Sequence, residues 1–287
     1  MAYETVLPMT HSNTDTTLSH STDFKGTARA LEAASLSLFW DDTAIVEDIS
    51  LHVKAGEICC LVGTSGSGKT TILHALSGLK RPQSGRILLE GKDITGTPGH
   101  ISYMLQKDLL LEHKRIIDNV TLPLVLAGTT KKQAVHEVEE LFSLFGLEGA
   151  QNKWPHELSG GMRQRAALMR TYVMGNTCLL LDEPFSALDA ITRTKMRAWF
   201  RDIAQQLKIS ALIITHDIDE AVSLAHRIYV LTGNPSAGTP SRISAEIVVP
   251  SHDTSDDFEL SEAFLHAHRG VTDSLNASDS SDTSLNF

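Results

Sequence analysis

The sequence predicts an α/β fold built on a mainly parallel sheet that is covered by helices on both faces. Two observations predict it. Short apolar runs suited to buried strands recur along the chain and alternate with stretches of helical periodicity. One of these runs, residues 58–62, leads directly into a loop rich in glycine and serine, and the helix-forming stretch 71–76 follows that loop.

The strands are predicted from apolar runs and from alternation. Threonine and serine dominate residues 1–30 and large apolar side chains are few there, which predicts a disordered segment. Apolar residues then alternate with polar ones at 44–54, as in a half-buried strand. Further strands are predicted at residues 58–62, 86–90, 101–105, 177–182, 211–215 and 227–231, with an edge strand at 243–249.

The helices are predicted between and after these strands. Helices are predicted at residues 131–145, 190–207, 217–225 and 260–268. In the first of them, Ala134, Val138 and Phe142 fall on one face. Residues 270–287 are rich in Ser, Asp, Thr and Asn, which predicts a disordered tail.

Composition narrows the class of function. The chain has 287 residues and a formal net charge of −10, which argues against a nucleic-acid surface. Its three cysteines are too few for a disulfide framework. No apolar run approaches the ~18–20 residues that span a bilayer, and the N-terminus has no basic-then-apolar signal pattern. We therefore expect a soluble, cytoplasmic protein, unless a partner holds it at a membrane.

The loop after the strand at 58–62 reads Gly-Thr-Ser-Gly-Ser-Gly-Lys-Thr from Gly63 to Thr70. Its glycines allow a tight turn that brings main-chain amides close to phosphate oxygens, and the next helix directs its positive end at them. Lys69 adds a full charge near the outer phosphates, and Thr70 supplies a hydroxyl for Mg²⁺. This pattern predicts a nucleotide phosphate site.

Two further stretches carry chemistry. The apolar run from Cys178 ends in Asp182 and Glu183, acids suited to a Mg²⁺ shell and to a general base that polarises water. Residues 158–165 read Leu-Ser-Gly-Gly-Met-Arg-Gln-Arg, in which Ser159 is typical of a helix N-cap. An open helix start is a second anion site, although an ordinary serine-capped helix has the same pattern.

Together these stretches resemble, in family order, the motifs of the ATP-binding cassette (ABC) family over about residues 31–250. The matching stretches are 63–70 (Walker A), 101–106 (Q-loop), 158–164 (signature), 179–184 (Walker B), 186–189 (D-loop) and 214–217 (switch histidine). The resemblance implies a P-loop NTPase fold: a RecA-like core with a mainly parallel sheet, an antiparallel β subdomain and an inserted α-helical subdomain at about 107–175. An acidic Ser/Asp-rich tail, partly disordered, would occupy 251–287.

The resemblance also implies how ATP is bound. Two cassettes pack head to tail, and each ATP lies between the Walker A loop of one and the signature motif of the other. The residues so implied for ATP binding are Gly63, Thr64, Ser65, Gly66, Ser67, Gly68, Lys69, Thr70, Thr71, Ser159, Gly160 and Gly161. Adenine would stack on Trp40, where the family usually has tyrosine; Phe39 is the neighbouring alternative, and a plain strand aromatic is another.

Catalytic roles follow from the same resemblance. Glu183 would act as general base, Gln106 would contact the metal and the attacking water, and His216 would contact the γ-phosphate and hold Glu183. Asp189 would couple the two sites across the dimer. The residues implied for Mg²⁺ are Thr70, Gln106 and Asp182.

Within the family the chain is similar to the ATPases of nitrate, sulfonate and taurine importers and of thiamine-pyrimidine uptake. That similarity lies in residues 106–120, 158–165 and 216–231. It implies a separate permease, a second cassette in a homodimer, an indirect link to a solute-binding protein, and the cytoplasmic face of the membrane. Alternatives are an exporter or lipoprotein-release cassette and a soluble ABC ATPase of DNA repair or translation. Leu109–Leu111 is interpreted either as a permease-docking surface or as core.

Overall fold

The structure is a computed structural model that describes residues 29–250 and 261–282. Its strands form one sheet in the order β5-β4-β1-β2-β10-β9-β3-β8-β7-β6. The strands are β1 (Arg29–Trp40), β2 (Thr43–Lys54), β3 (Ile58–Gly63), β4 (Ser84–Leu89), β5 (Lys92–Asp93), β6 (Ser102–Met104), β7 (Cys178–Asp182), β8 (Ser210–Thr215), β9 (Arg227–Asn234) and β10 (Thr239–Val248). Because sequence neighbours are often separated in the sheet, helical crossovers connect many of them.

Helices occupy the segments between the strands and follow the last one. They are α1 (Lys69–Leu76), α2 (Ile116–Val120), α3 (Leu122–Leu126), α4 (Lys131–Leu144), α5 (Gly160–Tyr172), α6 (Ala190–Gln206), α7 (Ile218–Leu224) and α8 (Glu262–Asp282). No helix within the described ranges is long and apolar enough to cross a membrane.

The central part of the sheet is parallel and buried on both faces. Strands β9, β3, β8, β7 and β6 pair in parallel, and every residue of β3, β7 and β8 is buried. Alternate residues of β3 pack on opposite sides: Cys60 and Val62 join one core cluster, whereas Cys59 and Leu61 join the other. A continuous apolar strand is what a parallel sheet between two helical layers requires. The predicted α/β fold is therefore confirmed.

The antiparallel part of the sheet is built from β1, β2, β4 and β5. Strand β1 pairs antiparallel with both β2 and β4, and β4 pairs antiparallel with β5. Helices α2, α3, α4 and α5 all lie between β6 and β7 in the chain, which is the position expected for the inserted helical subdomain. In α4, Ala134, Val138 and Phe142 are buried, as the helical periodicity predicts.

The last helix differs from the sequence-based expectation. It continues to Asp282, well past the predicted end at residue 268. Phe264, Ala267 and Val271 are buried in the same core cluster as Cys60 and Val62 of β3, and Leu275 packs against that cluster. The helical spacing of these apolar residues accounts for the longer helix. The sequence did not predict it, because most of the residues between them are polar. The prediction of disorder at 1–30 is wrong for residues 29–30, which begin β1, and the prediction at 270–287 is wrong for 270–282, which lie in α8. The rest of both predictions, 1–28 and 283–287, lies outside the described residues, as does the segment 251–260.

Candidate nucleotide-binding and catalytic site

The phosphate-binding loop connects β3 to α1. Helix α1 begins at Lys69, and its N-cap residue Gly68 has a φ of 92° and makes no side-chain capping hydrogen bond. A Cβ at this position would lie 2.7 Å from Cγ2 of Ile45, so both the backbone conformation and the close approach require glycine. The first amides of α1 consequently have no side-chain cap and are available to an anion.

Lys69 lies beneath this loop and is almost completely buried. Its ammonium group donates hydrogen bonds to the carbonyl oxygens of Gly63 at 2.8 Å and Thr64 at 2.7 Å. Burial lowers the pKa of Lys69, whereas the carboxylates of Glu183 and Asp182 act in the opposite direction. A bound phosphate would add negative charge at this buried cation and so stabilise its charged form.

Asp182 ends strand β7 beside the loop. Its Oδ2 accepts hydrogen bonds from Oγ1 of Thr70 at 3.4 Å and from the hydroxyl of Tyr103 at 3.2 Å. Burial raises the pKa of Asp182. A buried carboxylate beside a threonine hydroxyl is a set of hard oxygen donors that fits Mg²⁺, and a cation there would offset the cost of burying the charge.

Glu183 is held by a contact on each of its carboxylate oxygens. Oε2 accepts a hydrogen bond from Nε2 of Gln106 at 3.0 Å, and Oε1 lies 3.0 Å from Nδ1 of His216. The residue has a φ of 45°, in the left-handed region, and its amide donates to the carbonyl of Ile214 at 2.9 Å. The carboxylate is thus fixed at the end of the sheet by groups from two other loops, the arrangement expected of a positioned base.

The signature stretch lies at the start of α5. Oγ of Ser159 accepts a hydrogen bond from the amide of Met162 at 3.3 Å, which is the predicted N-cap. Within the described residues, no hydrogen bond or ion pair connects Ser159, Gly160 or Gly161 to the group around Lys69 and Glu183. The predicted second anion site therefore stands apart from the catalytic group of its own chain.

Two other predicted residues make contacts of their own. Asp189 is the N-cap of α6, where its Oδ1 accepts from the amide of Thr192 at 3.0 Å. Trp40 has a side chain 63% exposed, with the ammonium of Lys80 at 4.8 Å from its ring centre, and Phe39 is half-buried. An exposed indole face is available for stacking. The choice of Trp40 over Phe39 stays a prediction.

Sequence reasoning missed two contributors to the site. Tyr103 is one, and its hydroxyl contacts Asp182 because β6 pairs with β7 and places Tyr103 beside Leu180. Ser186 is the other: its hydroxyl donates to the carbonyl of Glu183 at 3.0 Å and lies 3.4 Å from Nε2 of Gln106. Both strands were predicted from the sequence, but no sequence signal gave the lateral pairing of β6 with β7 that brings Tyr103 to Asp182.

Comparison with known sequences identifies the family. The family model described as "ABC transporter" matches residues 46–186. The formylaminopyrimidine import ATP-binding protein ThiZ of Halalkalibacterium halodurans is 40% identical over 194 residues, covering 68% of this chain and 76% of that protein. The taurine import protein TauB of Sinorhizobium fredii is 37% identical over 236 residues, covering 81% and 88%. The nitrate import protein NrtC of Synechococcus elongatus is 39% identical over 194 residues, but the match spans only 29% of its length.

Comparison with solved structures supports the same fold. CbiO1 of Clostridium perfringens superimposes with a TM-score of 0.68 at 24% identity, covering 76% of this chain and 88% of that one. The bacterial ABC transporter cassette MJ0796, solved as a dimer, gives a TM-score of 0.65 at 22% identity, covering 77% and 100%. The chain belongs to the ATP-binding subunits of ABC transporters, and its curated relatives are import ATPases.

Proposed function

We propose that this chain hydrolyses Mg-ATP as the peripheral ATPase of an importer at the cytoplasmic face of a membrane. The observation that carries the proposal is the double fixation of Glu183 by Gln106 and His216 beside the Lys69 loop. A carboxylate so placed, next to a phosphate-binding loop, is suited to take a proton from a water that attacks the γ-phosphate.

Each group around Glu183 has a distinct role in this mechanism. Lys69 and the amides at the start of α1 bind the phosphates, and His216 keeps the carboxylate of Glu183 oriented as the proton is taken. Thr70, Asp182 and Gln106 are the residues that would hold Mg²⁺, which when bound neutralises charge on the phosphate oxygens. Because phosphoryl transfer depends mainly on positioning and charge, these side chains supply the chemistry that the reaction requires.

The signature motif completes the site only when a second cassette is present. Ser159, Gly160 and Gly161 make no bond with their own chain's catalytic group within the described residues, yet they form an open helix start suited to a phosphate. A head-to-tail homodimer would place this helix start on the ATP that the partner holds. Asp189, on the neighbouring helix, would lie at the same interface and couple the two sites.

A permease would dock at a groove beside Gln106. The groove encloses about 100 Å³ between Leu105, Leu109, Pro123 and Met174, with further lining from the β6 and α5 segments. Leu109 is 51% exposed, whereas Leu110 is buried and belongs to the core. Of the two interpretations of Leu109–Leu111, the docking surface therefore fits Leu109 and the core fits Leu110.

Arg170 holds this surface against the signature helix. Its guanidinium donates to the carbonyls of Leu109 at 2.8 Å and Asp108 at 2.6 Å. These hydrogen bonds fix the backbone that carries the exposed Leu109. An exposed apolar surface of fixed shape on an importer ATPase suits a cytoplasmic segment of the permease.

Affinity purification from detergent-solubilised membranes of the native cell tests this function. We expect the tagged wild-type chain to recover a multi-span permease, and Leu109→Glu to lose it while keeping ATP binding. The matched control is Leu265→Glu, which changes an equally exposed leucine on α8. Recovery of nucleic-acid or ribosomal proteins from the soluble fraction would instead support a soluble ABC ATPase.

The permease and the solute-binding protein select the solute, and the cassette does not contact it. From the relatives we propose a small anion such as nitrate, a sulfonate or taurine, or a pyrimidine precursor of thiamine. Uptake of each labelled solute by cells with and without this gene tests the choice, with Glu183→Gln as the inactive control. Export of a compound or lipoprotein release, with uptake unchanged, would establish the alternative direction of transport.

A further inference from the structure

Arg193 connects two loops of the catalytic region that belong to different elements. It lies in the first turn of α6, and its Nη2 donates a hydrogen bond to the carbonyl of Leu188 at 2.9 Å. Its Nη1 lies 3.4 Å from Oδ2 of Asp217. The first contact reaches the loop that ends at Asp189, and the second reaches the residue that follows His216 directly in the chain.

Asp217 is itself held firmly by its own helix. Its Oδ1 accepts from the amide of Glu220 at 3.0 Å, and its amide donates to Oγ1 of Thr215 at 3.0 Å. The charge on Arg193 therefore acts on a carboxylate whose position is already set by a helix cap. The side chains of Arg193 and Asp217 are 30% and 26% exposed, so water screens the pair less than it screens a surface ion pair.

His216 has little other support. Its side chain is 61% exposed, and within the described residues its hydrogen-bond partner is Glu183. A histidine on an exposed loop keeps its place only as well as the loop does, because few packed atoms surround its ring. The contact between Arg193 and Asp217 is an ion pair that ties this loop to α6.

The basic residues of α6 differ in what they reach. Nη2 of Arg197 donates to Oγ1 of Thr194 in the same helix at 3.4 Å, and the charge of Arg197 acts on Glu220 of α7. Lys195 is exposed on the opposite side of a helical turn. Stabilisation of α6 alone would not require a side chain that reaches both Leu188 and Asp217.

We propose that Arg193 is a positioning residue for hydrolysis, which fastens the loop of His216 to the main chain of Leu188. It touches no reacting atom and acts through His216 on Glu183. The inference rests on the proposed roles of these two residues and of the Leu188–Asp189 loop. Since that loop lies where a second cassette would dock, Arg193 would also carry the effect of dimer closure to the histidine.

ATPase kinetics of the full chain test this inference. We expect Arg193→Met to lower kcat about tenfold with KM for ATP within about twofold, because positioning affects the transition state more than ground-state binding. Arg193→Lys, which keeps the charge, should restore part of kcat. Asp217→Asn, which keeps a helix N-cap but removes the charge, should resemble Arg193→Met, and the double variant should be no worse than either. Lys195→Met is the matched control and should match the wild type.

Several results would overturn the inference. It fails if Arg193→Met and Lys195→Met have equal kcat, if Arg193→Met raises KM alone, or if the losses of Arg193→Met and Asp217→Asn multiply. Thermal unfolding of each variant separates a folding defect from a catalytic one. Glu183→Gln separates failure of the proposed mechanism from failure of the role of Arg193. If Glu183→Gln hydrolyses ATP at the wild-type rate, the proposed mechanism itself is wrong. If Glu183→Gln is inactive and Arg193→Met is fully active, only the role of Arg193 is refuted.

Discussion

The two phosphate-binding regions of this cassette differ in how complete they are. Around the Lys69 loop, Asp182 and Glu183 at the end of β7 and His216 after β8 already contact one another or their neighbours. At the start of α5, the contacts of Ser159 within the described part of the chain are the local ones of a helix cap. This difference fits the proposed head-to-tail dimer, in which one chain would supply the catalytic half of an ATP site and its partner the other half.

The sheet accounts for this division. Strands β3, β7 and β8 are neighbours and parallel, so the residues that follow them meet at one edge. Lys69 follows β3, Asp182 ends β7 and His216 follows β8. Helix α5 belongs instead to the inserted helical segment, and its N-terminus is placed by helix packing rather than by the sheet edge.

The largest effect is expected at the complete region. Glu183→Gln should lower ATP hydrolysis by roughly 10²-fold or more, because the amide cannot take a proton from water. The hydrogen bond from Gln106 should survive, so ATP binding is retained and an ATP-dependent dimer accumulates. Steady-state hydrolysis, nucleotide titration and size-exclusion chromatography with ATP measure the three properties. Glu140→Gln, on an exposed face of α4, is the matched control.

A Glu183→Gln variant that hydrolyses ATP at the rate of Glu140→Gln would contradict the assignment of the base. The contacts that Gln106 and His216 make with Glu183 would then stabilise the fold rather than position a base. The two regions would no longer differ in catalytic role.

A mixing experiment tests the incomplete region. Gly160→Asp should abolish hydrolysis, because its carboxylate repels phosphate while an acid in the first helical turn remains compatible with α5. A Cβ at Gly160 would lie 3.3 Å from Cδ2 of Leu188, the end of a flexible side chain, so folding should be preserved. Lys69→Ala should also be inactive, because it loses phosphate binding.

Mixing the two inactive proteins should restore activity. A head-to-tail heterodimer has one site with an intact Lys69 loop and an intact signature motif. If the two sites act independently, an equal mixture should reach about a quarter of the wild-type rate. A mixture that is no more active than its separate components would contradict the division of the ATP site between two chains.

The catalytic region was also the easier of the two to predict from the sequence. An apolar strand followed by Gly63–Thr70, and another ending in Asp182 and Glu183, specify both the elements and their shared edge. Tyr103 could not be assigned, because its contact with Asp182 depends on the lateral pairing of β6 with β7. The burial of Leu110 beside the exposed Leu109 depends on how a loop folds onto α5, which no periodic pattern reports.

A buried acid behind the His216 loop is expected to change stability with pH. Glu220 is 2% exposed, and burial raises its pKa from 4.5 to about 7. Since the folded state holds the proton more tightly than the unfolded state, the free energy of unfolding should fall as pH rises from about 4.5 to about 7. Glu220→Gln removes this titration, so between pH 5 and pH 8 the wild type should lose about 2–3 kcal/mol more than the variant.

Urea unfolding at both pH values measures this difference. Glu139→Gln, whose side chain is 73% exposed, controls for removal of a carboxylate from a helix. If the free energy of unfolding depends on pH equally in the wild type and in Glu220→Gln, ionisation of the buried Glu220 does not destabilise the fold. The packing behind the His216 loop would then not depend on the charge of Glu220.

The smallest effect is expected at Trp40, whose side chain is exposed. If adenine stacks on the exposed indole, Trp40→Ala should weaken ATP binding by several-fold, since an aromatic contact of this kind contributes about 1 kcal/mol. Trp40→Phe keeps a ring and should lose less, and Phe39→Leu should leave the affinity near that of the wild type. Titration with ATP at low protein concentration measures monomer binding before the signature motif of a second chain takes part. A larger loss of ATP affinity in Phe39→Leu than in Trp40→Ala would instead identify Phe39 as the residue on which adenine stacks. Because Phe39 is half-buried, the catalytic half of the site would then not be fully exposed in a single chain.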